Sequence, residues 1–128
     1  MERIITIGGK EMRMRASALI PRLYRFKFGR DVIADFNKLR KNFAAAVKAQ
    51  QAETDDDVEA AHLSVLDLTI FENLTWLLLW HADSTSVPET PDEWLDSIDG
   101  VFSVYDVLPE VIDLWDASTA TTSSPVKK

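Results

Sequence analysis

The residues that could do chemistry are few, and the two histidines come first. Glu59 and His62 match the Glu-x-x-His half-motif, whose carboxylate and imidazole lie one helical turn apart in di-iron helical bundles. Such a site requires a second copy of the motif, but the residue three positions before His81 is Leu78. The pattern therefore favours partly exposed helix histidines, and we expect no metal site.

Two further short motifs also favour structural roles. The acidic run at 55–57 could attract a divalent cation, but it lacks the glycine and the distal glutamate of a calcium loop, and acids are common in the first turn of a helix. Gly8, Gly9 and Lys10 lack the flanking pattern of a phosphate-binding loop and fit a hairpin turn. There is no cysteine, no serine lies in a nucleophile-elbow motif, and no carboxylate pair is distinguished as acid and base. The sequence predicts neither an enzyme nor a cofactor.

The most unusual stretch is 21–31, which interleaves basic and aromatic side chains. Single-stranded nucleic-acid binders combine these residue types for stacking and phosphate neutralisation. However, Ile20, Tyr24 and Phe28 lie four residues apart, as on the buried edge of a helix, and this leaves the neighbouring arginines on the outer face. The acidic remainder of the chain would repel phosphates, so we expect a protein partner. The predicted partner contacts are Arg22, Tyr24, Arg25 and Arg30.

Charge is divided unevenly along the chain. Residues 1–50 hold 12 Lys and Arg against 4 Asp and Glu, whereas residues 51–128 hold 2 against 17, so balances of +8 and −15 give the net −7. One part could bind an acidic partner while the other repels it, or the two parts could neutralise each other across the fold. Both interpretations stay open at this point.

Length and composition indicate one globular domain. A chain of 128 residues with a hydrophobic fraction of 46% and a charged fraction of 27% can bury a substantial core. The absence of cysteine fits a reducing compartment, and we expect no signal peptide because no basic region precedes an apolar stretch at the start. The most apolar segment, 63–82, is interrupted by Asp67 and Glu72, so we expect a buried helix and no membrane span.

The pattern predicts a mainly α fold in which an N-terminal β-hairpin packs on a bundle of about four to five helices. The hairpin turns at Gly8 and Gly9, and methionines alternate with arginines in its second strand to give one apolar and one basic face. A short helix capped by Ser17 ends at Gly29, and Asp31 caps a second helix with an apolar stripe.

A third, central helix is expected over about 58–81, capped by Thr54 or the acidic run. Thr90 and Pro91 open a fourth helix with a capping box, and a last helix is expected over about 106–117 with Pro109 in its first turn. The domain is therefore predicted to span 1–117, followed by a disordered tail over 118–128 that is rich in Ser, Thr and Ala. The four tryptophans occupy apolar helix positions and are expected in the core.

Four blocks of sequence, in this order and spacing, resemble the tail assembly chaperones of long-tailed (siphovirus-type) bacteriophages that infect Gram-positive bacteria. Together they extend over nearly the whole chain and precede a Thr/Ser tail that ends in lysines. The blocks are ITIGGKE at 5–11, PRLYR with FGRD at 21–31, TPDEWLD at 90–96, and SVYDVLPEVIDLW at 103–115.

The resemblance implies a non-enzymatic role in virion assembly in the host bacterial cytoplasm. Such chaperones bind the tape measure protein, keep it soluble, help to recruit tail tube protein, and are absent from the mature virion. The family often makes a longer product by a programmed ribosomal frameshift, and the codons of Lys127 and Lys128 could form such a slippery site.

Two other functions stay open beside this one. A nucleic-acid-binding regulator that uses the basic N-terminal part would lose affinity steeply with salt. A small hydrolase with unrecognised carboxylates would reveal itself by a bound metal or a strongly pH-dependent activity. Within the chaperone interpretation, a second copy of this chain is an alternative partner for the basic arginines.

Overall fold

The computed structural model describes residues 1–50, 63–100 and 103–123. In these ranges a two-stranded antiparallel hairpin precedes five helices, which confirms the predicted mainly α fold with an N-terminal hairpin. No described helix is both long and apolar enough to span a membrane. The elements are β1 Glu2–Ile7, β2 Lys10–Arg15, α1 Ile20–Phe28, α2 Val32–Gln50, α3 Val65–Ala82, α4 Pro91–Ser97 and α5 Val104–Ser123.

The hairpin turns where the glycines predicted it. Gly8 and Gly9 have φ of 60° and 78°, values that glycine adopts without steric cost, and Ile7 pairs with Lys10 across the two-residue turn. One face of the hairpin is buried, including Ile5 and Met14, and it packs on α3 and α5. A hairpin alone would be marginal in water, so this packing is what stabilises it.

Helix α3 is the central element, as predicted, but it begins later than expected. Ser64 is its N-cap: Ser64 Oγ accepts the N–H of Asp67, and Asp67 Oδ2 accepts the N–H of Ser64, each at 3.0 Å. The prediction of a start near residue 58 is wrong because this reciprocal capping box satisfies the first turn at Val65. The proposed caps at Thr54 and 55–57 lie outside the described residues. Every side chain from 74 to 79 is buried, so the helix is enclosed all round at this level.

Of the caps predicted for α1 and α2, the first is wrong and the second is confirmed. Leu19 is the N-cap of α1 and makes no side-chain cap bond, so Ser17 does not cap this helix. The Ser17 hydroxyl instead accepts the N–H of Leu19 at 3.2 Å and hydrogen-bonds His81 Nε2 at 2.9 Å. Asp31 Oδ1 accepts the N–H of Ile33 at 2.9 Å at the start of α2, as predicted.

Helix α4 begins as its sequence predicts, and helix α5 is longer than expected. Thr90 Oγ1 accepts the N–H of Glu93 at 3.1 Å at the start of α4. Pro109 lies inside α5 and not in its first turn, because α5 already begins at Val104.

Helix α5 continues to Ser123, beyond the end expected for it near residue 117. Ser118 Oγ and Thr119 Oγ1 donate to the carbonyls of Trp115 and Asp116 at 2.9 and 3.2 Å, so these polar side chains bond their own helix instead of ending it. The remainder of the predicted tail, 124–128, lies outside the described residues.

The tryptophans are core residues, as predicted. Trp76, Trp94 and Trp115 are buried and Trp80 is partly buried. Trp76 stacks on Trp80 with ring centroids 5.8 Å apart and donates its Nε1 hydrogen to the carbonyl of Pro88 at 2.8 Å. A buried indole N–H needs a hydrogen-bond acceptor, and here the acceptor is the Pro88 carbonyl. The bond therefore attaches the segment between α3 and α4 to the core.

Candidate protein-binding surfaces

Helix α1 presents an exposed basic and aromatic face. Pro21 occupies its first turn and Gly29 ends it with φ of 67°, while Ile20 and Tyr24 bury its inner edge. The outer side chains at 22, 25 and 26 are exposed, and Phe26 is the most exposed large hydrophobic residue described, at 86%. We call this surface the basic face, defined by Arg22, Arg25 and Phe26.

Tyr24 does not belong to this face, contrary to its prediction as a partner contact. Its side chain is fully buried, and its hydroxyl donates to Asp35 Oδ2 at 2.9 Å. Burial first, and then the hydrogen bond to Asp35, raise the pKa of Tyr24 well above its usual value. Tyr24 therefore joins α1 to α2 and offers no surface to a partner.

Arg30 shares the same carboxylate and is held by it. Arg30 Nε donates to Asp35 Oδ2 at 2.7 Å, and Arg30 Nη2 donates to Asp35 Oδ1 at 2.9 Å, so the pair is bidentate. Hydrogen bonding by Arg30 is the main reason why the pKa of Asp35 lies below its ordinary value. Of the four predicted contacts, Arg22 and Arg25 are exposed and lack any ion pair or side-chain hydrogen bond to the described part of the chain.

Lys27 has a role that the sequence did not reveal. Its ammonium lies 4.4 Å from the ring centroid of Trp80 and 5.5 Å from that of Trp76. A cation over an indole face is attracted by the ring quadrupole, so Lys27 fixes α1 against α3. Residues 80 and 27 are far apart in sequence, and only the fold brings them together.

An apolar groove opens beside α1, and sequence reasoning missed it. It has a volume of about 500 Å³ and lies between the start of the chain, the first turns of α1 and α2, and α5. Ile33 is 47% exposed although it follows the buried Val32 directly, and this outward isoleucine was the available sequence signal. The apolar groove is lined mainly by Met1, Ala16, Ala18, Pro21, Ile33 and Trp115.

A second recess lies between α3 and α4. It has a volume of about 330 Å³, and its floor is apolar. Glu72 lines it, Asp92 lies within electrostatic reach of Glu72, and Asp99 stands between two lining residues. Burial first, and then the charge of Asp92, raise the pKa of Glu72. We call this surface the acidic recess, defined by the floor residues Leu68, Phe71, Leu95 and Ile98 and by the acidic residues Glu72 and Asp92.

The hydrogen bond between Ser17 and His81 is the nearest approach to a nucleophile and base. Burial, followed by the positive charges of Arg15 and the N-terminal ammonium, lowers the pKa of His81. A triad would also need a carboxylate that orients the imidazole, and no hydrogen bond joins His81 to a described carboxylate. The pair links the start of α1 to the end of α3.

Within the described ranges, no three His, Asp or Glu side chains are grouped as a metal site would require. Glu59, His62 and the acidic run lie outside these ranges, so the expectation that they bind no metal stays a prediction.

Among the described residues, three ion pairs join the basic and acidic parts of the chain. Arg3 Nε lies 2.6 Å from Glu110 Oε1 and Arg3 Nη2 lies 3.6 Å from Asp113 Oδ2, while Arg40 pairs with Asp116. These contacts attach β1 and α2 to α5. Within the described ranges, neutralisation across the fold therefore accounts for some of the N-terminal arginines, but not for those of the basic face.

Comparisons with known proteins find no match: no family model, no curated protein and no solved structure is significantly similar to this chain.

Proposed function

We propose that this protein is a tail assembly chaperone of a long-tailed bacteriophage of Gram-positive bacteria, and that it acts in the host cytoplasm. It binds the tape measure protein, keeps it soluble and helps to recruit tail tube subunits. The observation that carries the proposal is the apolar groove, an open hydrophobic surface on a domain whose second part is strongly acidic. The four-block resemblance supplies the identity of the partner.

The groove suits an assembly chaperone for a physical reason. A tape measure protein exposes apolar helical stripes that aggregate until the tail tube covers them. The apolar groove covers one such stripe in the helix-in-groove mode, and the −15 balance of residues 51–128 keeps the complex soluble.

The size of the groove favours reversible binding. Burying two or three anchor side chains contributes about 1.5–3 kcal/mol each, and association costs at least about 4 kcal/mol in lost translational and rotational freedom. A modest net affinity is what a factor needs if tube subunits displace it. A chaperone that is absent from the mature virion must be released in this way.

Co-expression with the tape measure protein encoded just downstream in the same genome tests the proposal. We expect the soluble fraction of the tape measure protein to rise and the two proteins to co-purify. If the tape measure protein stays insoluble and nothing co-purifies, the proposed activity is refuted for this chain.

A matched pair of variants tests the groove within the same assay. Ile33→Asp places a charge on the groove wall, in the first turn of α2, where an acidic residue favours the helix. Val65→Asp makes the same change at an 82% exposed position in the first turn of α3, outside the lining of the groove. We expect the first variant to lose solubilisation and the second to retain it. Equal activity of the two would remove the groove from the mechanism.

One observation favours the alternative of a nucleic-acid-binding regulator. Phe26 projects beside the exposed Arg22 and Arg25, as in a stacking platform with phosphate contacts. Titration of a labelled single-stranded oligonucleotide at increasing salt distinguishes the two functions. Affinity that falls linearly on a log–log plot would support this alternative, and absence of binding at low salt would remove it.

A further inference from the structure

The basic face and the acidic recess carry opposite charges, and they lie on different helices of the same chain. We propose that the basic face of one copy docks into the acidic recess of a second copy. Phe26 enters the recess, and Arg22 and Arg25 face its carboxylates. The proposal does not depend on the chaperone function, because it uses neither the apolar groove nor the tape measure protein.

The apolar part of the contact consists of an exposed aromatic side chain and a recess large enough to hold it. Phe26 is 86% exposed, an unusual position for a large aromatic side chain. The recess measures about 330 Å³ and is floored by apolar side chains. A cavity of roughly 150 Å³ is enough to hold benzene, so a phenylalanine ring fits with room for its neighbours.

The charged part of the contact supplies orientation. Arg22 and Arg25 form no ion pair or side-chain hydrogen bond among the residues described, and the same is true of Glu72 and Asp92. The raised pKa of Glu72 reflects its burial and the nearby charge of Asp92. Guanidinium groups brought next to Glu72 would lower its pKa again, since a nearby positive charge stabilises the ionised carboxylate.

A second copy explains both surfaces at once. A nucleic-acid ligand would use the basic face and leave the acidic recess without a partner. The net charge of −7 disfavours association in general, but at physiological ionic strength screening acts over about 8 Å, so local complementarity outweighs the overall charge.

The basic face belongs to α1, whereas the recess belongs to α3, α4 and the residues that follow α4. The two surfaces share no residue, so the proposed docking has each copy offer its basic face to one neighbour and its recess to another. Such a contact is heterologous, and repeated contacts of this kind produce a head-to-tail chain or a ring.

Sedimentation velocity of the purified full-length chain tests the proposal, with nuclease-treated samples from low to several hundred micromolar at low and high salt. We expect the mass to rise with protein concentration and to fall with salt. Phe26→Ala should weaken self-association by about tenfold or more, as expected for a central aromatic anchor. A wild-type chain that stays monomeric throughout, or whose larger mass disappears with nuclease, overturns the proposal.

Charge reversals test the pairing itself. The face variant Arg22→Glu with Arg25→Glu and the recess variant Glu72→Arg with Asp92→Arg should each be monomeric. The two reversals combined in one chain should restore assembly, which a merely destabilising substitution could not do. The control Lys41→Glu with Lys48→Glu makes the same charge change as the face variant at exposed positions of α2. Circular dichroism melts verify that each variant is folded.

Two results of these reversals would overturn the pairing. One is a folded combined variant that stays monomeric. The other is a control variant that loses self-association as completely as the face variant, since that would show a general effect of charge.

Discussion

The hydrogen bond from Tyr24 to Asp35 is one of the contacts that hold α1, the helix of the basic face, and Tyr24→Phe is the substitution that isolates it. The phenol lies in the core between α1 and α2 and donates to Asp35 Oδ2 at 2.9 Å. Phenylalanine keeps the ring and its tilted contact with Phe28, at 5.1 Å between centroids, and removes only the donor. The change in stability therefore reports one hydrogen bond to a buried carboxylate.

The expected loss lies at the lower end of the range for such bonds. Hydrogen bonds to charged groups contribute about 1.5–3 kcal/mol to stability. Asp35 retains both bonds from Arg30 in the variant, and the half-exposed guanidinium and incoming water partly replace the lost donor. We expect a loss of about 1.5 kcal/mol in the free energy of unfolding. For a chain of this length, that corresponds to a fall of roughly 5–9 °C in Tm.

Thermal melts followed by circular dichroism, with urea denaturation at pH 7, measure this loss. Tyr105→Phe is the matched control, because the Tyr105 ring packs on Phe43 while its hydroxyl donates to no residue in the described ranges. The control should melt within about 3 °C of the wild type, as substitutions away from specific contacts usually change stability by under about 0.5 kcal/mol. Equal melting temperatures for Tyr24→Phe and the wild type would refute the reasoning, and so would equal losses in the two variants.

Three further predictions concern stability. The pKa of Asp35 is lowered chiefly by Arg30, so ionised Asp35 contributes to stability above its unfolded pKa of about 3.9, and this contribution is lost as the pH falls through the folded pKa. Urea titrations from pH 7 to acid should show the free energy of unfolding fall in this range. The fall should be smaller in Asp35→Asn. Thr75→Val should raise the free energy of unfolding by about 1 kcal/mol in the same assay, because the fully buried Thr75 hydroxyl has no hydrogen-bond partner among the described residues. An unchanged or lower free energy of unfolding would contradict this. Gly29→Ala should cost about 1–2 kcal/mol in a thermal melt because φ is 67°, although the position has open space for a methyl group; an unchanged Tm would show that the cap relaxes without strain.

The features that the sequence predicted correctly are those determined by neighbouring residues. Gly8 with Gly9 specify a two-residue turn through their own backbone freedom, and Thr90 with Pro91 specify a helix start within four residues. The burial of α3 follows from a segment that is apolar nearly all round. Each of these signals acts over a single turn or a single helix, so tertiary context has little opportunity to override it.

The wrong predictions all depend on contacts that are remote in sequence or on competing local bonds. Ser17 has the right residue type for a cap, but its hydroxyl hydrogen-bonds His81, which lies 64 positions away. Tyr24 was predicted to contact a partner even though its own spacing with Ile20 indicated burial, and the missing information was Asp35, its acceptor on the next helix. The apolar groove could not be predicted from periodicity, because its walls come from both ends of the chain.

Four arginines of the first fifty residues form two contrasting pairs, and the contrast bears on the two interpretations of the charge asymmetry. Arg3 and Arg40 pair with acids of α5, so their charge holds the fold together. Arg22 and Arg25 flank an exposed phenylalanine and pair with no acid in the described ranges, so internal neutralisation does not account for their charge within these ranges. If balance within the fold were the whole reason for the asymmetry, these arginines would be expected to lie against the acids of the recess, which are likewise unpaired among the described residues. They lie instead on a different helix, and the proposed docking of a second copy would bring the two sets of charges together.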